Sequence, residues 1–432
     1  MLLCARTRTF CAASERSEGQ RSVKVQTSND EMFGSIAALC AYAAEHSPFY
    51  SRTIRPVRSW QDFHALPMLT GDDIRQHVRA DGTGDLLTGP SRGSVVLSSS
   101  ASSGPRKIVF REFAEQHRVS EGLALAMRLA GFTADDRIAN IFPPGGLLAA
   151  WIGAHEAIEK LGATLLPLGT TLPLDVDEQV RLLTWLRPTA VIGVPSMIVR
   201  LIEGGMPPVK SVLCGGETIP PDTRAFMETA LGAEIALVYG NVESGTLGVQ
   251  CTALRRTQRY HVLSRDVFLE VVDPSNGYPA DEGEILVTHL HRRLQPLIRY
   301  RVGDRGRRVD SPCGCGLALP VIELEGRVEE LEVVIGDVSL SADQVLVAVR
   351  VVPGIGERFQ IRVRCLNKTD HVKILFEGEG VSAETVRAAL LEREPALRAL
   401  EDGGVLVIEV VKRGAIPTIA GKTPRIVDER SS

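Results

Sequence analysis

The sequence predicts an α/β protein: a large amino-terminal domain of parallel βαβ layers with a β-rich subdomain, followed by a small α+β domain. From residue 95 onward, short β-branched runs alternate with helix-length segments, which is typical of parallel βαβ units covered by helices. Strand and turn signals dominate residues 259–325. After Gly326, helical patterns over 342–351 and 382–394 lie among strand-like runs, which predicts a compact α+β unit with its own core.

The chain length and composition are those of a globular protein. At 432 residues we expect two or three domains, and fractions of 44% hydrophobic and 24% charged residues exclude a disordered or collagen-like chain. The net charge of −4 argues against a nucleic-acid or membrane-surface protein. No apolar run reaches the ~18 residues of a membrane span, and eight irregularly spaced cysteines fit a reducing compartment. We therefore expect a soluble cytoplasmic protein with no nucleic-acid and no membrane partner.

These patterns divide the chain into three predicted segments. Residues 1–30 are expected to be a disordered extension, because their Arg and Ser residues surround no continuous apolar core of a secretory signal. Translation from an upstream start codon would also add such a segment, and a transit peptide would have a similar composition. Residues 31–325 form the predicted large domain, which opens with helices, one of them capped by Thr70. Residues 326–432 form the predicted small domain.

A serine-rich segment follows the first strand of the βαβ region. The sequence SSSASSGPRK over 98–107 combines hydroxyl groups, one glycine and two cations. Small residues let backbone N–H groups approach a polyphosphate, hydroxyls add donors, and the cations neutralise charge. A solvated serine-rich turn would have the same composition, and the GxxxxGK[ST] pattern of a Walker P-loop is absent. The segment is a candidate phosphate-binding loop.

A second candidate lies at two predicted strand ends. Gly215 and Gly216 would let bare backbone lie against a planar ring. Tyr239 offers an aromatic face beside Gly240, and Glu243 adds a carboxylate four residues after the tyrosine. An aromatic ring and a carboxylate at the carboxyl end of a parallel strand lie where α/β sheets bind ligands. The pattern YGxxE is nevertheless short enough to arise by chance.

Two further residues are notable for their context. Asp304 occupies a Gly-Asp turn after a strand, where a carboxylate can accept hydrogen bonds from both hydroxyls of a ribose. An exposed turn aspartate is the alternative. Lys422 is one of only eight lysines, against 41 arginines, and lies on a loop near the carboxyl terminus. Lysine provides a mobile point charge, whereas arginine favours fixed paired contacts; a surface lysine is the alternative.

Four residues form a candidate zinc site. Cys251, His261, Cys313 and Cys315 supply thiolate and imidazole ligands suited to tetrahedral Zn²⁺. Cys251 and His261 frame one predicted strand pair, and the CGCG segment ends a loop between strands. Two buried cysteines and an unrelated loop pair would give the same pattern. We predict one zinc ion with a structural role, because no ligand is missing for an open catalytic position.

The motifs also occur in a characteristic order. Because its motifs occur in this order, the sequence from Gly34 to the carboxyl terminus resembles the adenylate-forming enzymes, specifically the phenylacetate–CoA ligase-like family. The matching segments are the helical opening EHSPFYSRTIRPVRSWQDFHALPMLTGDDIR, the serine-rich loop, GGE, YGNVE, GEILVTHL with PLIRYRVGD, LEGRVEE and IPTIAGKTPR. The resemblance implies the fold of that family. Some of its proteins hold a structural zinc at a similar Cys/His pattern.

The resemblance implies a nucleotide site. The serine-rich loop would bind the ATP phosphates, and Tyr239 would stack on adenine. Asp304 would bind the ribose hydroxyls, with Arg327 nearby in one conformation. The implied nucleotide-binding residues are Ser99, Ser100, Ser102, Ser103, Gly104, Lys107, Gly215, Gly216, Glu217, Tyr239, Gly240, Asp304 and Arg327.

The resemblance also implies the chemistry. Glu243 would hold Mg²⁺, and Lys422 would reach the α-phosphate and the substrate carboxylate; these are the implied catalytic residues. Glu329 matches the hinge about which the small domain rotates between half-reactions. The implied reaction activates a small aryl or arylacetic acid with ATP to an acyl-adenylate and transfers the acyl group to the thiol of CoA. We expect the acid pocket between residues 142–151 and the GGE and YGNVE strand ends.

Three departures from the family pattern leave alternatives open. Ala101, Ser102 and Ser103 stand where the family has Gly and Thr. Val242 replaces the Thr that precedes the metal-binding glutamate, which removes a hydroxyl donor worth ~1.5–3 kcal/mol to a charged group. Glu329 replaces the more usual Asp. Transfer to a carrier protein or an amine is one alternative, and a non-catalytic nucleotide-binding relative is another. The sequence leaves the oligomeric state open, a homodimer included.

Overall fold

The computed structural model describes residues 29–98, 106–169, 176–310 and 313–327, together with shorter stretches nearer the carboxyl terminus. Those stretches are 332–335, 338–342, 345, 352, 355–366, 369–378, 381–402, 406–414, 416 and 425–430. Several predicted features lie outside the described residues: the extension up to residue 28, Ser99, Ser100, Ser102, Ser103 and Gly104 of the serine-rich loop, Glu329, Lys422 and most of the helix predicted over 342–351.

Helices open the described chain. They are α1 (Asn29–His46), α2 (Pro48–Thr53), α3 (Trp60–His64) and α4 (Gly71–His77). Thr70 caps α4 as predicted: its hydroxyl accepts a hydrogen bond from the N–H of Asp73, whose carboxylate accepts one from the N–H of Thr70. This reciprocal capping box satisfies backbone donors that the helix itself leaves without partners.

A β-hairpin carries the serine-rich loop. Strands β1 (Ser94–Ser98) and β2 (Ile108–Glu112) pair antiparallel on either side of it. Lys107 therefore lies immediately before β2, at a fixed position relative to that strand.

Eleven strands form one mixed sheet. They are β3 (Arg137–Asn140), β4 (Thr164–Pro167), β5 (Ala190–Gly193), β6 (Ser211–Gly215), β7 (Ile235–Asn241), β8 (Gly245–Val249), β9 (Arg259–Val262), β10 (Val267–Val272), β11 (Glu282–His289), β12 (Tyr300–Val309) and β13 (Val321–Arg327). Their order in space is β10-β11-β12-β13-β9-β8-β7-β6-β5-β3-β4. Neighbours among β4, β3, β5, β6 and β7 pair in parallel, as predicted, and the remaining pairs are antiparallel.

Helices accompany the parallel part of the sheet. They are α5 (Phe113–Leu129), α6 (Ala149–Leu161), α7 (Val176–Leu186), α8 (Pro195–Glu203) and α9 (Pro221–Leu231). Adjacent residues of one strand belong to different apolar clusters: Val212 lies in one cluster and Leu213 in the other. Successive side chains of a strand point to opposite faces, so both faces of this part of the sheet are covered.

The carboxy-terminal residues form further strands and helices. A hairpin pairs β14 (Glu332–Ile335) with β15 (Val338–Ser341), and a four-stranded sheet has the order β18-β17-β16-β19. Its members are β16 (Ile355–Leu366), β17 (Thr369–Gly378), β18 (Leu406–Lys412) and β19 (Ile426–Asp428), with helices α10 (Ala383–Arg393) and α11 (Pro395–Asp402). These elements share a separate apolar cluster.

The observed elements confirm the predicted α/β fold class. Ser382 caps α10, so the helix predicted over 382–394 is present. No helix of the described residues is long and apolar enough to cross a membrane. The carboxyl ends of β6 and β7 bring the candidate residues of two motifs, GGE and YGNVE, to one edge of the sheet.

Candidate active site

A buried ion pair joins the hairpin to the main sheet. The Lys107 Nζ lies 2.5 Å from Oε1 of Glu243, whose side chain is 4% exposed. The hydroxyl of Tyr300 donates to the same Oε1 at 3.2 Å, and the ammonium of Lys107 donates to that hydroxyl at 3.3 Å. The three groups form a closed triangle, which brings together two residues that lie 136 positions apart in the chain.

The charge of Glu243 is stabilised despite its burial. Burial raises the pKa of this carboxyl, but the ammonium of Lys107 and hydrogen bonds from Lys107, the backbone and Tyr300 outweigh it, so the pKa lies below its usual value of 4.5. The residue is therefore a carboxylate at neutral pH, able to bind a hard cation through oxygen.

Two buried arginines hold the backbone at this corner. Arg111 donates from Nη2 to the carbonyl of Val242 at 2.7 Å, and Arg292 donates from Nη1 to the carbonyl of Glu243. Hydrogen bonds to a carbonyl from a charged donor are stronger than neutral ones. The peptide that carries the candidate metal-binding carboxylate is thus held on both sides.

The predicted adenine and ribose residues meet directly. The hydroxyl of Tyr239 donates to Oδ2 of Asp304 at 2.8 Å, across from β7 to β12. Arg327 pairs in register with Asp304 where β13 runs beside β12. A ring and a carboxylate held side by side can contact a base and its ribose at the same time.

The GGE turn lies next to the same strand end. Gly216 has a φ of +88°, which favours glycine, and a Cβ at Gly215 would approach Cγ1 of Val238 to 2.8 Å. Glu217, one of the predicted nucleotide-binding residues, contacts a neighbouring helix. Its carboxylate accepts hydrogen bonds from the N–H and the hydroxyl of Ser196, both at 3.0 Å, and so helps to cap the amino terminus of α8.

Gly240 is required for a close backbone approach. A Cβ at this position would overlap the carbonyl oxygen of Gly245, where β7 turns back into β8. The pairing of these strands also shifts register between Tyr239 and Gly240. The glycine therefore shapes the turn that presents Glu243, rather than offering a side chain of its own.

The four predicted zinc ligands form one cluster. The ligand atoms of Cys251, His261, Cys313 and Cys315 all lie within 4.8 Å of one another. The sulfurs of Cys251 and Cys313 are 3.5 Å apart, and the Cys315 sulfur lies 3.3 Å from Nε2 of His261. Two sulfurs on one tetrahedral zinc lie about 3.8 Å apart when each bond is about 2.3 Å. The donor set and its spacing fit Zn²⁺.

Sequence reasoning missed three residues of this site. Tyr300 lies in the motif PLIRYRVGD, only four positions before Asp304, but a tyrosine in a strand gives no signal of its own. Arg111 and Arg292 are two of 41 arginines, and nothing in their sequence context marks them as buried. Only the folded structure reveals these contacts.

Comparisons with known proteins identify similar sequences. The family model of the AMP-binding enzymes matches residues 161–291. The chain is 25% identical to a phenylacetate–coenzyme A ligase of Thermus thermophilus over 91% of this chain and 95% of the relative. It is 24% identical to the phenylacetate–coenzyme A ligase of Escherichia coli over 90% and 92% of the two chains.

Solved structures share the fold. The structure of 2-hydroxyisobutyryl-CoA ligase in complex with its acyl-adenylate superposes with a TM-score of 0.73 at 23% identity, covering 93% of this chain and 89% of that one. MatB from Rhodopseudomonas palustris with bound ATP superposes with a TM-score of 0.54 at 17% identity, covering 81% and 70%. The fold is that of the adenylate-forming enzymes. The predicted resemblance to the phenylacetate–CoA ligase-like family is confirmed.

Proposed function

We propose that this chain is an AMP-forming acid–CoA ligase that activates a small, largely apolar carboxylic acid of the aryl or arylacetic class. The observation that carries the proposal is the buried carboxylate of Glu243, which contacts Lys107 and Tyr300. Tyr239 and Asp304, which are hydrogen-bonded to each other, each lie four positions along the chain from one member of this group. These groups supply an anion for a metal, a cation for phosphate, an aromatic face and a ribose acceptor at one edge of the sheet. Relatives named phenylacetate–coenzyme A ligase support the acid class.

The chemistry has two steps. A carboxylate oxygen attacks the α-phosphorus of ATP and releases pyrophosphate, which gives an acyl-adenylate. The thiol of CoA then attacks the acyl carbon, loses its proton, and displaces AMP, which retains the attacking carboxylate oxygen. Negative charge develops on phosphate oxygens in the first step, so nearby cations provide most of the stabilisation.

Glu243 is the residue of the described site that we assign to Mg²⁺. A buried, ionised carboxylate fits the preference of this cation for oxygen ligands. Bound Mg²⁺ would neutralise charge on the ATP phosphates. Lys107 contacts Glu243 directly, so it is placed to exchange that carboxylate for a phosphate oxygen when the nucleotide binds.

Residues outside the described part complete the proposal. By resemblance, Lys422 reaches the α-phosphate and the substrate carboxylate, and the serine-rich loop contacts the phosphates. Glu329 serves as the hinge between a large domain over 31–325 and a small domain over 326–432. A lysine on a mobile domain can withdraw after the first step and leave room for the thiol.

The acid pocket is proposed beside Gly215. A Cβ at Gly215 would lie 4.0 Å from Cζ of Phe142, so this aromatic ring lies at the same strand ends as the nucleotide residues. Asn140 accepts a hydrogen bond from the N–H of Phe142 at 3.2 Å and donates to the carbonyl of Trp151 at 3.2 Å. These contacts hold an apolar wall that suits an uncharged acyl group.

A structural zinc ion and a reducing compartment are also proposed. The cluster of Cys251, His261, Cys313 and Cys315 would bind Zn²⁺ with all four positions filled by protein, which favours a folding role over catalysis. The cytoplasm is proposed because the eight cysteines of the sequence are sparse and irregularly spaced. A carrier protein in place of CoA is the second acceptor that we consider.

A pyrophosphate-release screen tests the proposal. Aryl, arylacetic and fatty acids are offered with ATP and MgCl₂, with and without CoA. We expect acid-dependent pyrophosphate and AMP, with a thioester formed when CoA is present. Formation of acyl-adenylate without a thioester in the presence of CoA would indicate that the acyl acceptor is not CoA. Absence of AMP with every acid, despite tight ATP binding, would instead favour the non-catalytic relative.

A further inference from the structure

Two buried arginines contact consecutive carbonyl groups at the metal-binding corner. The side chains of Arg111 and Arg292 are both 1% exposed. Arg111 donates to the carbonyl of Val242 at 2.7 Å, and Arg292 donates to the carbonyl of Glu243. Two guanidinium groups thus fix both carbonyl groups of the peptide segment that leads into and out of Glu243.

Each arginine is held at its other end. Nη1 of Arg111 donates to Oε1 of Gln116 at 2.7 Å, and Nη2 of Arg292 donates to the carbonyl of Phe110 at 2.9 Å. The carboxylate of Glu115 lies 4.0 Å from Nε of Arg292. It also accepts a hydrogen bond at 2.6 Å from the backbone N–H of the residue that follows Arg292. Planar guanidinium groups anchored on two sides have little freedom to rotate.

The hairpin contacts both the carboxylate of Glu243 and the backbone beside it. Strand β2 begins one residue after Lys107 and carries Arg111, so the lysine that contacts the Glu243 carboxylate and the arginine that holds its backbone share one rigid segment. Arg292 ties this strand to the corner through the carbonyl of Phe110. The two arginines therefore connect the backbone at Glu243 to the strand that follows Lys107.

The arrangement favours geometry over stability. Nε of Arg111 and Nε of Arg292 are buried and have no hydrogen-bond partner among the described residues. A buried unsatisfied donor lowers stability. These two unsatisfied donors therefore call for an explanation other than stability, and the contacts of both arginines with the backbone at Glu243 provide one.

We infer that Arg111 and Arg292 are positioning residues that hold the Val242–Glu243 peptide so that the Glu243 carboxylate faces a magnesium–nucleotide complex. The inference rests on the proposed function, because it assigns these residues to the same metal site. It also bears on Val242, which lacks the hydroxyl of the family's usual threonine: its contribution to the site is its carbonyl, through Arg111.

Metal-dependent nucleotide binding tests the inference directly. Calorimetry measures the affinity for ATP in excess MgCl₂ and in EDTA, for wild type, Arg111→Met and Arg292→Met. We expect the gain in affinity that Mg²⁺ confers to fall by about tenfold or more in either variant, because a misplaced ligand loses the metal. Affinity in EDTA is expected to change far less, since the base and ribose contacts remain.

Arg224→Met is the matched control. Arg224 is also largely buried, and it donates to the carbonyl of Ile235 at 2.8 Å and to Glu228, at the amino end of β7 rather than the carboxyl end. This variant is expected to melt at a lower temperature while keeping the full effect of Mg²⁺ on ATP affinity. If the Arg111 and Arg292 variants behave like it, the inferred positioning role is wrong.

Lysine substitutions keep the test decisive if a methionine variant does not fold. Arg111→Lys and Arg292→Lys retain the charge but lose the second anchored donor, so we expect an intermediate loss of the Mg²⁺ effect. Retention of the whole effect in both would overturn the inference. A wild-type protein whose ATP affinity is unaffected by Mg²⁺ would instead contradict the proposed function, and with it the metal site.

Discussion

The two proposed metal sites differ in how their charge is balanced. At the Glu243 corner, the carboxylate already has a protein cation, Lys107, at 2.5 Å. In the cluster of Cys251, His261, Cys313 and Cys315, close polar contacts among the ligand atoms join sulfur to sulfur and sulfur to imidazole. At the first site the charge of the carboxylate is balanced by a lysine of the same chain. At the second site three cysteines and one histidine lie close together, and a bound metal ion would hold them in place.

The difference predicts two roles for the proposed metal ions. Because Lys107 balances Glu243, we expect the fold not to depend on the proposed Mg²⁺, which would arrive with each nucleotide and leave with pyrophosphate. Three cysteines and one histidine would fill all four coordination positions of a zinc ion. Zinc would then stabilise the folded state. One site should therefore affect turnover and the other stability, and variants at the two sites should separate these effects.

The largest expected effect follows from Glu243→Gln. Removing the carboxylate charge takes away the proposed metal ligand, so acid-dependent pyrophosphate release should fall by about 10²–10³-fold. Zinc content should not change. Glu284→Gln is the control, because Glu284 is a buried carboxylate of the same sheet paired with Arg301 at 2.6 Å. Comparable loss of turnover in the two variants would count against a specific role for Glu243.

The converse expectation concerns Cys251→Ser. This variant should lose most of its bound zinc, measured by elemental analysis, and should melt about 5 °C or more below wild type, since about 2–4 °C corresponds to 1 kcal/mol in a domain of 150–250 residues. Turnover per folded molecule at low temperature should be nearly unchanged. Cys40→Ala, at a buried thiol outside the cluster, is expected to keep its zinc. If Cys251→Ser kept its zinc content and its melting temperature, a structural role for zinc at this cluster would be contradicted.

Removal of the balancing cation should change the pH dependence of stability. The lowered pKa of Glu243 contributes stability that is present above about pH 4.5 and is lost as the pH falls through the folded-state pKa. In Lys107→Met, burial acts with less opposition and the ionised carboxylate destabilises the fold at neutral pH. Denaturant unfolding should therefore show a deficit of about 1.5–3 kcal/mol at pH 7 that shrinks as the pH falls and the carboxylate becomes protonated. A deficit that stays constant with pH would show that the ion pair is not its source.

A smaller effect is expected from Tyr239→Phe. The ring that faces the nucleotide remains, but the hydrogen bond to Asp304 at 2.8 Å is lost. Asp304 would then be less well oriented toward the ribose, at a cost of about 1 kcal/mol, so the Kd for ATP should rise about fivefold. Tyr260→Phe is a suitable comparison, because its ring lies 5.8 Å from that of Tyr239. An equal change in both variants would point to packing rather than to the hydrogen bond.

The sequence predicted the chemistry-bearing positions better than their contacts. Asp304 and Tyr239 could be selected because a turn carboxylate and a strand-end ring have recognisable contexts, and the Cys/His set could be selected from ligand type alone. The roles of Glu217 and Gly240 could not, because capping of α8 and the approach to Gly245 depend on which strands become neighbours. Arg111 and Arg292 were missed for a related reason: arginine is usually exposed, and only the fold reveals a buried one.

Oxygen transfer tests the central claim most directly. Phenylacetate, or another acid that passes the screen, is labelled with ¹⁸O in its carboxylate and converted with ATP and CoA, and the AMP is analysed by mass spectrometry. Attack of the carboxylate on the α-phosphorus predicts one ¹⁸O atom in each AMP. Unlabelled AMP, or label found in pyrophosphate or inorganic phosphate, would contradict activation through an acyl-adenylate at this site.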